Sequence, residues 1–337
     1  MGRWRGEHKL YDLWRWTTAN IFSAWTAIGL ATRFAISLDY HTAIDSALDI
    51  DEQARYRHRV WLSLCYIETH ICAVRGLPSA IETQAFEHSV KSENDTDQKR
   101  HTSMPARRAS LQSPKNLETT MHSTYLERIS KLSAIKQTIN GYIQQPSNQI
   151  SNNGFSAANF RSGANDFDTR LNTWARSLSS QSFLRDGQPQ QPHRDERRQL
   201  ALLLAFYSAK MTLCRPFLAV QKAELVSKPA SRHSWTSGCY YAETCLSVAG
   251  SIIKLVDRLP TAASFFETPC MWNSIQVLCQ AGETILYEHR SDLGNKMSND
   301  KFELVHILVK WLRIAEKVSN MAYELRQACC EEFHLNS

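Results

Sequence analysis

Apolar residues in this 337-residue chain recur at steps of three and four, and almost nowhere at the two-residue step over as many as six positions. A half-buried strand needs the two-residue step, whereas one face of an α-helix needs the three-four step. The expected fold class is therefore all-α, an irregular multi-helix bundle with long disordered loops.

The best-punctuated helix lies before Gly76. Tyr56, Val60, Leu64, Ile67, Ile71 and Val74 line one face, and Trp61 and Tyr66 widen it, so burial on more than one side is expected. Asp49 with Glu52 three residues on offers a capping-box start, Gly76 suits a left-handed cap, and Pro78 forbids continuation. The most regular run is the last. Leu304, Leu308, Trp311, Ala315, Val318, Ala322, Leu325 and Cys329 alternate four-three, which predicts one rod over 301–329 opened by Asp300 and Glu303. Such a seam could serve a coiled coil, but Trp311 and the alternating alanines favour a core helix.

Between these lie further helical stretches. One runs from Met121 to Tyr142 and another restarts at Phe167, Leu171, Trp174 and Leu178. A third, from Leu200 to Cys214, is expected to bend or end at Pro216. Tyr241 to Val256 is closed by Pro260, and residues 270–289 form another. Residues 91–116 hold too few apolar side chains to offset the entropy of ordering and read as a disordered linker. The pairs Lys99-Arg100 and Arg107-Arg108 there could form an import signal, but a solvated basic linker explains them as well. Residues 144–166, rich in Asn, Ser and Gln, read as a flexible loop.

A formal charge of +6 is spread over 39 basic and 33 acidic residues, too thinly to define a nucleic-acid surface. Nine cysteines include no Cys-x-x-Cys pair, and the N-terminus has no apolar leader core, so buried reduced thiols are expected. Residues 21–38 are apolar enough to raise a membrane question. Arg33 in their midst would cost about 3 kcal/mol there, and a core helix with no membrane partner is expected.

The residues Arg57, Arg59, Val60, Trp61, Ser63, Leu64, Gly76, Pro78 and Ile81 match a motif in which an arginine-rich start leads into Val-Trp, an apolar helix and Gly-x-Pro-x-x-Ile. Ahead of them stand Ala24-Trp25, Gly29, Ala31, Arg33, Ala35 and a turn, Leu38-Asp39-Tyr40-His41. Leu171 with Trp174, and then Arg215-Pro216-Phe217-Leu218, follow in order. In these respects the chain resembles the middle regulatory region of fungal Zn(II)2Cys6 transcription factors, the fungal-specific transcription factor domain, over roughly residues 20–330. The resemblance implies a helical effector domain with an N-terminal part at 1–90, a helix of the same domain at 117–143 and a C-terminal part at 167–331. It implies a non-enzymatic transcription regulator in the nucleus, controlling a metabolic or secondary-metabolite pathway.

The departures from the family pattern matter as much. Family members bind DNA through six cysteines sharing two zinc ions, and this sequence cannot build that module. Zinc is thus expected only in a module absent from the chain, with no cofactor, metal or catalytic residue here. DNA contact would be indirect or through a missing N-terminal module, and the chain starts well inside the domain. A homodimer, a partner transcription factor and a small-molecule effector are the other expected partners. The alternatives are an all-α enzyme or small-molecule carrier with a terpene-synthase-like pocket, or a truncated gene product without activity. Asp45, Asp49 and Asp51 come nearest to an aspartate-rich magnesium site, yet read better as helix-start residues. Phosphate-loop, dinucleotide, zinc-protease and nucleophile-elbow motifs are lacking. His58 and His70 stand without acidic or cysteine neighbours at ligand spacing and read as surface or supporting histidines. Arg57, Arg59 and Arg215 read as structural ion-pair partners.

Overall fold

A computed structural model describes residues 21–42, 52–75, 79–81, 114–145, 148, 157–178, 194–227, 237–259, 261, 271–291 and 299–335. Among these, 89% are helical and none is in a strand, so the all-α expectation holds. The helices are α1 (Ile21–Ser37), α2 (Glu52–Arg75), α3 (Pro114–Gln144), α4 (Ala157–Ser177), α5 (Arg194–Ser227), α6 (Ser237–Asp257), α7 (Met271–Ser291), α8 (Asn299–Ala315) and α9 (Asn320–Glu332). Contacts divide the chain into a unit of residues 20–141 and a second one that begins at Tyr142 and runs to Ser337.

In the first unit α1 packs against α2. Helix α1 ends because Asp39 takes a left-handed conformation, φ 59°. The amide of Tyr40 donates to Ala35 O at 2.9 Å and that of Asp39 to Ile36 O at 3.0 Å, which closes the last turn as a Schellman cap. Of the linker expected over 91–116, residues 91–113 lie outside the described residues, and 114–116 are helical because α3 opens at Pro114. A proline at the first helical position lacks only an amide that would have no intrahelical partner anyway.

The second unit is built on α5, which packs most extensively on α6 and also contacts α4 and α7. Three sequence expectations are corrected here. Residues 157–166, expected as part of a flexible loop over 144–166, are helical, since α4 begins at Ala157 and buries Phe160, Ala164 and Phe167 as the first part of the stripe continued by Leu171 and Trp174, while 146–147 and 149–156 lie outside the described residues. The Asn, Ser and Gly residues between those positions hide the period. Of the bend or end expected at Pro216, the end does not occur, for helix α5 runs on to Ser227. The proline leaves the Thr212 carbonyl without its helical donor, at a cost of roughly 3 kcal/mol. Burial of Leu213, Cys214, Phe217 and Leu218 around it offsets that cost.

The rod predicted over 301–329 is two helices, α8 and α9, broken at residues 316–319. Ser319 is extended, φ −137° and ψ 116°, and its hydroxyl accepts the Ala322 amide at 3.3 Å as an N-cap. The apolar seam continues across the break, for Leu308, Trp311, Ala315, Val318, Ala322, Leu325 and Cys329 are all buried within the unit. Gly282 of α7 lies where a β-carbon would come within 3.0 Å of Leu308, which is how α7 gets so close to this seam.

Helix α1, described over 17 residues, carries Arg33 exposed near its C-terminal end. Among the described residues one segment, Arg197–Gln221 of α5, is long and apolar enough to cross a membrane, and most of it is buried inside its own unit.

Candidate functional site

Within the stretch that carries the α2 motif lies a buried carboxylate, Glu68, which the apolar pattern does not mark. Glu68 is 1% exposed. Its Oε1 accepts the Ala80 amide at 2.6 Å and the Cys72 thiol at 3.4 Å, while its Oε2 accepts the Ser79 hydroxyl. The Ile81 amide donates to Ser79 Oγ at 3.2 Å. Gln137 of α3 then donates to Ile81 O at 2.7 Å. Residues 79–81 are thus latched to two helices by one acid and one amide. A buried carboxylate is tolerated here because several donors surround it. The only signal in the sequence was an acid among apolar neighbours, with serine eleven residues later.

The buried face of α2 is displaced from the predicted stripe. Tyr56 is 54% exposed, whereas Trp61, Cys65, Glu68 and Cys72, again spaced four-three-four, are buried together with His58 and His70. Both histidines are therefore core residues and not surface ones. Trp61 meets the ring of His41 edge-on at 5.9 Å, which joins the two motifs on either side of residues 43–51. Arg57 is exposed and Arg59 half-buried. Asp45, Asp49, Asp51, Gly76 and Pro78 lie outside the described residues.

In the second unit the Leu-x-x-Trp pair is part of the core. Leu171 is fully buried, and Trp174 stacks on Phe206 of α5 at 5.9 Å. Beside it Lys210 bonds Asn172 Oδ1 at 3.0 Å and pairs with Asp168 at 3.3 Å, and Asn172 donates to Asp168 Oδ2 at 2.9 Å. Tyr142 stacks on Phe160 at 5.5 Å. Its hydroxyl reaches the Phe160 carbonyl at 3.1 Å, over a glycine, Gly163, that leaves room for the ring. These are packing contacts with no open face for chemistry.

Open space lies between α5 and α7, in a cleft of about 450 Å³. Leu218, Ala219 and Leu286 form its apolar floor, and Arg215, Glu283 and Arg290 its rim. Arg215 pairs with Glu283 across the two helices at 2.5 Å, with side chains 47% and 41% exposed. The ion-pair expectation for Arg215 thus holds, although no helix end lies at this point. Arg290 pairs with Glu332 of α9 at 2.9 Å.

Six of the described thiols are held in their protonated form by burial, which makes poor ligands and nucleophiles of them. Burial, with Glu68 nearby, pushes Cys65 well up and Cys72 up to about 12. Burial likewise lifts Cys245 and Cys329 to about 12, and Cys214 and Cys279 far above the ordinary thiol value. Among the described residues no three His, Cys, Asp or Glu side chains gather where a metal ion could be held.

A family model described as the fungal specific transcription factor domain matches residues 10–206, more than half of the chain. The chain belongs to that family. The match takes in α1 to α4 and the first part of α5, including the Glu68 latch and the Leu171–Trp174 pair. The likeness drawn from Arg215-Pro216-Phe217 lies past the matched residues. No curated protein and no solved structure matches the chain. Membership in the fungal-specific transcription factor family supports a role in transcription regulation.

Proposed function

We propose that this chain is the signal-receiving helical part of a transcription regulator that governs a metabolic or secondary-metabolite pathway. The observation that carries the reading is the family match over residues 10–206, inside which Trp61 and Ile81 of the motif are buried and Glu68 latches residues 79–81 to α2. Such a domain acts by changing what it binds, without making or breaking bonds. It works in the nucleus and reaches DNA through a partner chain or a zinc module supplied from elsewhere, because its own cysteines lack the pairing that a shared-thiolate cluster needs.

The test is to fuse the chain to a neutral DNA-binding domain and read a reporter, in cells that make the pathway's metabolites and in cells that do not. The expected result is a reporter level that differs from that of the DNA-binding domain alone and shifts with the metabolites. A reporter indifferent to the fused chain under both conditions would contradict the proposal.

A further inference from the structure

We propose that the cleft between α5 and α7 binds a small organic anion with an apolar, ring-sized body. The proposal rests on reading the chain as a signal receiver, and it places the signal beyond the residues matched to the family. At about 450 Å³ the cleft falls in the range of small-molecule sites, which are mostly apolar with a few placed polar groups. Leu218, Ala219 and Leu286 would take the body of the ligand, with Tyr287 along one side.

The charge of the ligand follows from the rim. Two guanidiniums, Arg215 and Arg290, face one carboxylate, Glu283, among the lining side chains. Glu283 and Arg290 are seven residues apart on α7, two turns along one face. Arg215 is held to Glu283 and Arg290 to Glu332, so each guanidinium on the lining is tied to a neighbouring helix. Both arginines are held by ion pairs, but those pairs are exposed to water, where such contacts contribute little. An incoming carboxylate can take a guanidinium from Glu283 or Glu332 at small cost and offer a planar, two-point contact in exchange. A neutral ligand gains only the floor. A cation meets the two arginines.

Binding at this place would have a consequence for the fold. Arg215 links α5 to α7, and Arg290 links α7 to α9. A ligand that recruits either group loosens one of those ties while filling the space between α5 and α7, which is a differential contact of the kind a population shift needs.

Calorimetric titration of the full chain tests this, with 1-naphthoate as the anionic probe and 1-naphthalenemethanol as its neutral counterpart. The expected result is one saturable site for 1-naphthoate, at least tenfold tighter than for the alcohol. Ala219→Trp should fill the floor and remove binding of both. Arg290→Glu alters an exposed side chain and its exposed pair with Glu332 but leaves the buried floor intact, so it keeps the test valid if the tryptophan variant fails to fold; it should bring the two probes to within about twofold of each other. Equal affinity for both probes in the unaltered chain, absence of a site, or binding indifferent to Arg290→Glu would overturn the proposal, including the case of a side chain from a second copy filling the cleft. Naphthoate binding that fails while the reporter fusion still responds to metabolites would sink the cleft alone. Intact binding beside a silent reporter would sink the regulatory reading alone.

Discussion

Single side chains decide whether the motif segments hold together. Glu68 gathers the Ser79 hydroxyl, the Ala80 amide and the Cys72 thiol at one buried carboxylate. Removing it leaves buried donors without an acceptor, which costs more than the bonds themselves contributed. Glu68→Ala is expected to destabilise the protein by about 2–4 kcal/mol in urea unfolding, and a loss under 0.5 kcal/mol would show the latch to be incidental. Lys136 of α3 is a second buried charge, and desolvation lowers its ammonium from 10.5 to about 8. Because the folded value lies below the unfolded one, the unfolded chain holds the extra proton between about 8 and 10.5. Stability should therefore rise with pH across that window, and below it the folded protein carries the full cost of the buried charge. Lys136→Met should flatten the rise and raise stability at neutral pH by roughly 2–3 kcal/mol. A midpoint of unfolding with the same pH slope in both proteins would refute the assignment.

At the scale of elements, the sequence was legible where apolar spacing was clean and misleading where polar groups occupied core positions. Helices α2, α6 and α7 fall where the three-four pattern put them, and α1 falls in the apolar run over 21–38. On α2 the visible stripe through Tyr56 and Leu64 is the edge of the buried face. The true centre holds His58 and Glu68, whose polarity breaks the apolar period. The start of α4 was hidden by Asn, Ser and Gly between Phe160, Ala164 and Phe167. Pro216 stops no helix because the residues next to it are packed, Phe217 against Phe160 of α4 and Tyr241 of α6. The opposite error occurred at residues 316–319, where an unbroken apolar seam concealed a turn. Only the Ser319-Asn320 pair, a common N-cap signature, could have marked it. Ser319→Ala should therefore lower stability by about 1 kcal/mol, read as a drop in melting temperature. A melting temperature unchanged by this substitution would mean that packing across the seam, and not the cap, sets the break. The cleft was not legible at all, since no local pattern tells which faces of α5 and α7 are left apart.

At the scale of the whole molecule, the described parts form two helical units in which seven thiols are buried and the apolar anchors of the family resemblance, Trp61, Ile81, Leu171, Trp174 and Phe217, are core. The seven described cysteines, Cys65, Cys72, Cys214, Cys245, Cys279, Cys329 and Cys330, are all buried and free. Brief iodoacetamide treatment of the native protein, followed by peptide mass mapping, should leave those seven unmodified and label them fully after denaturation. Rapid native labelling of any of them would mean that its helix opens far more readily than the packing allows. The central claim is that such a body regulates transcription. Its most direct measurement is the transcript profile of cells lacking the gene, compared with cells in which it is restored. The account predicts that a small, coordinated set of metabolic genes changes and returns with the intact chain, but not with Trp61→Asp, whose core is broken. A profile that is the same with and without the gene, under conditions where its product is made, would contradict it.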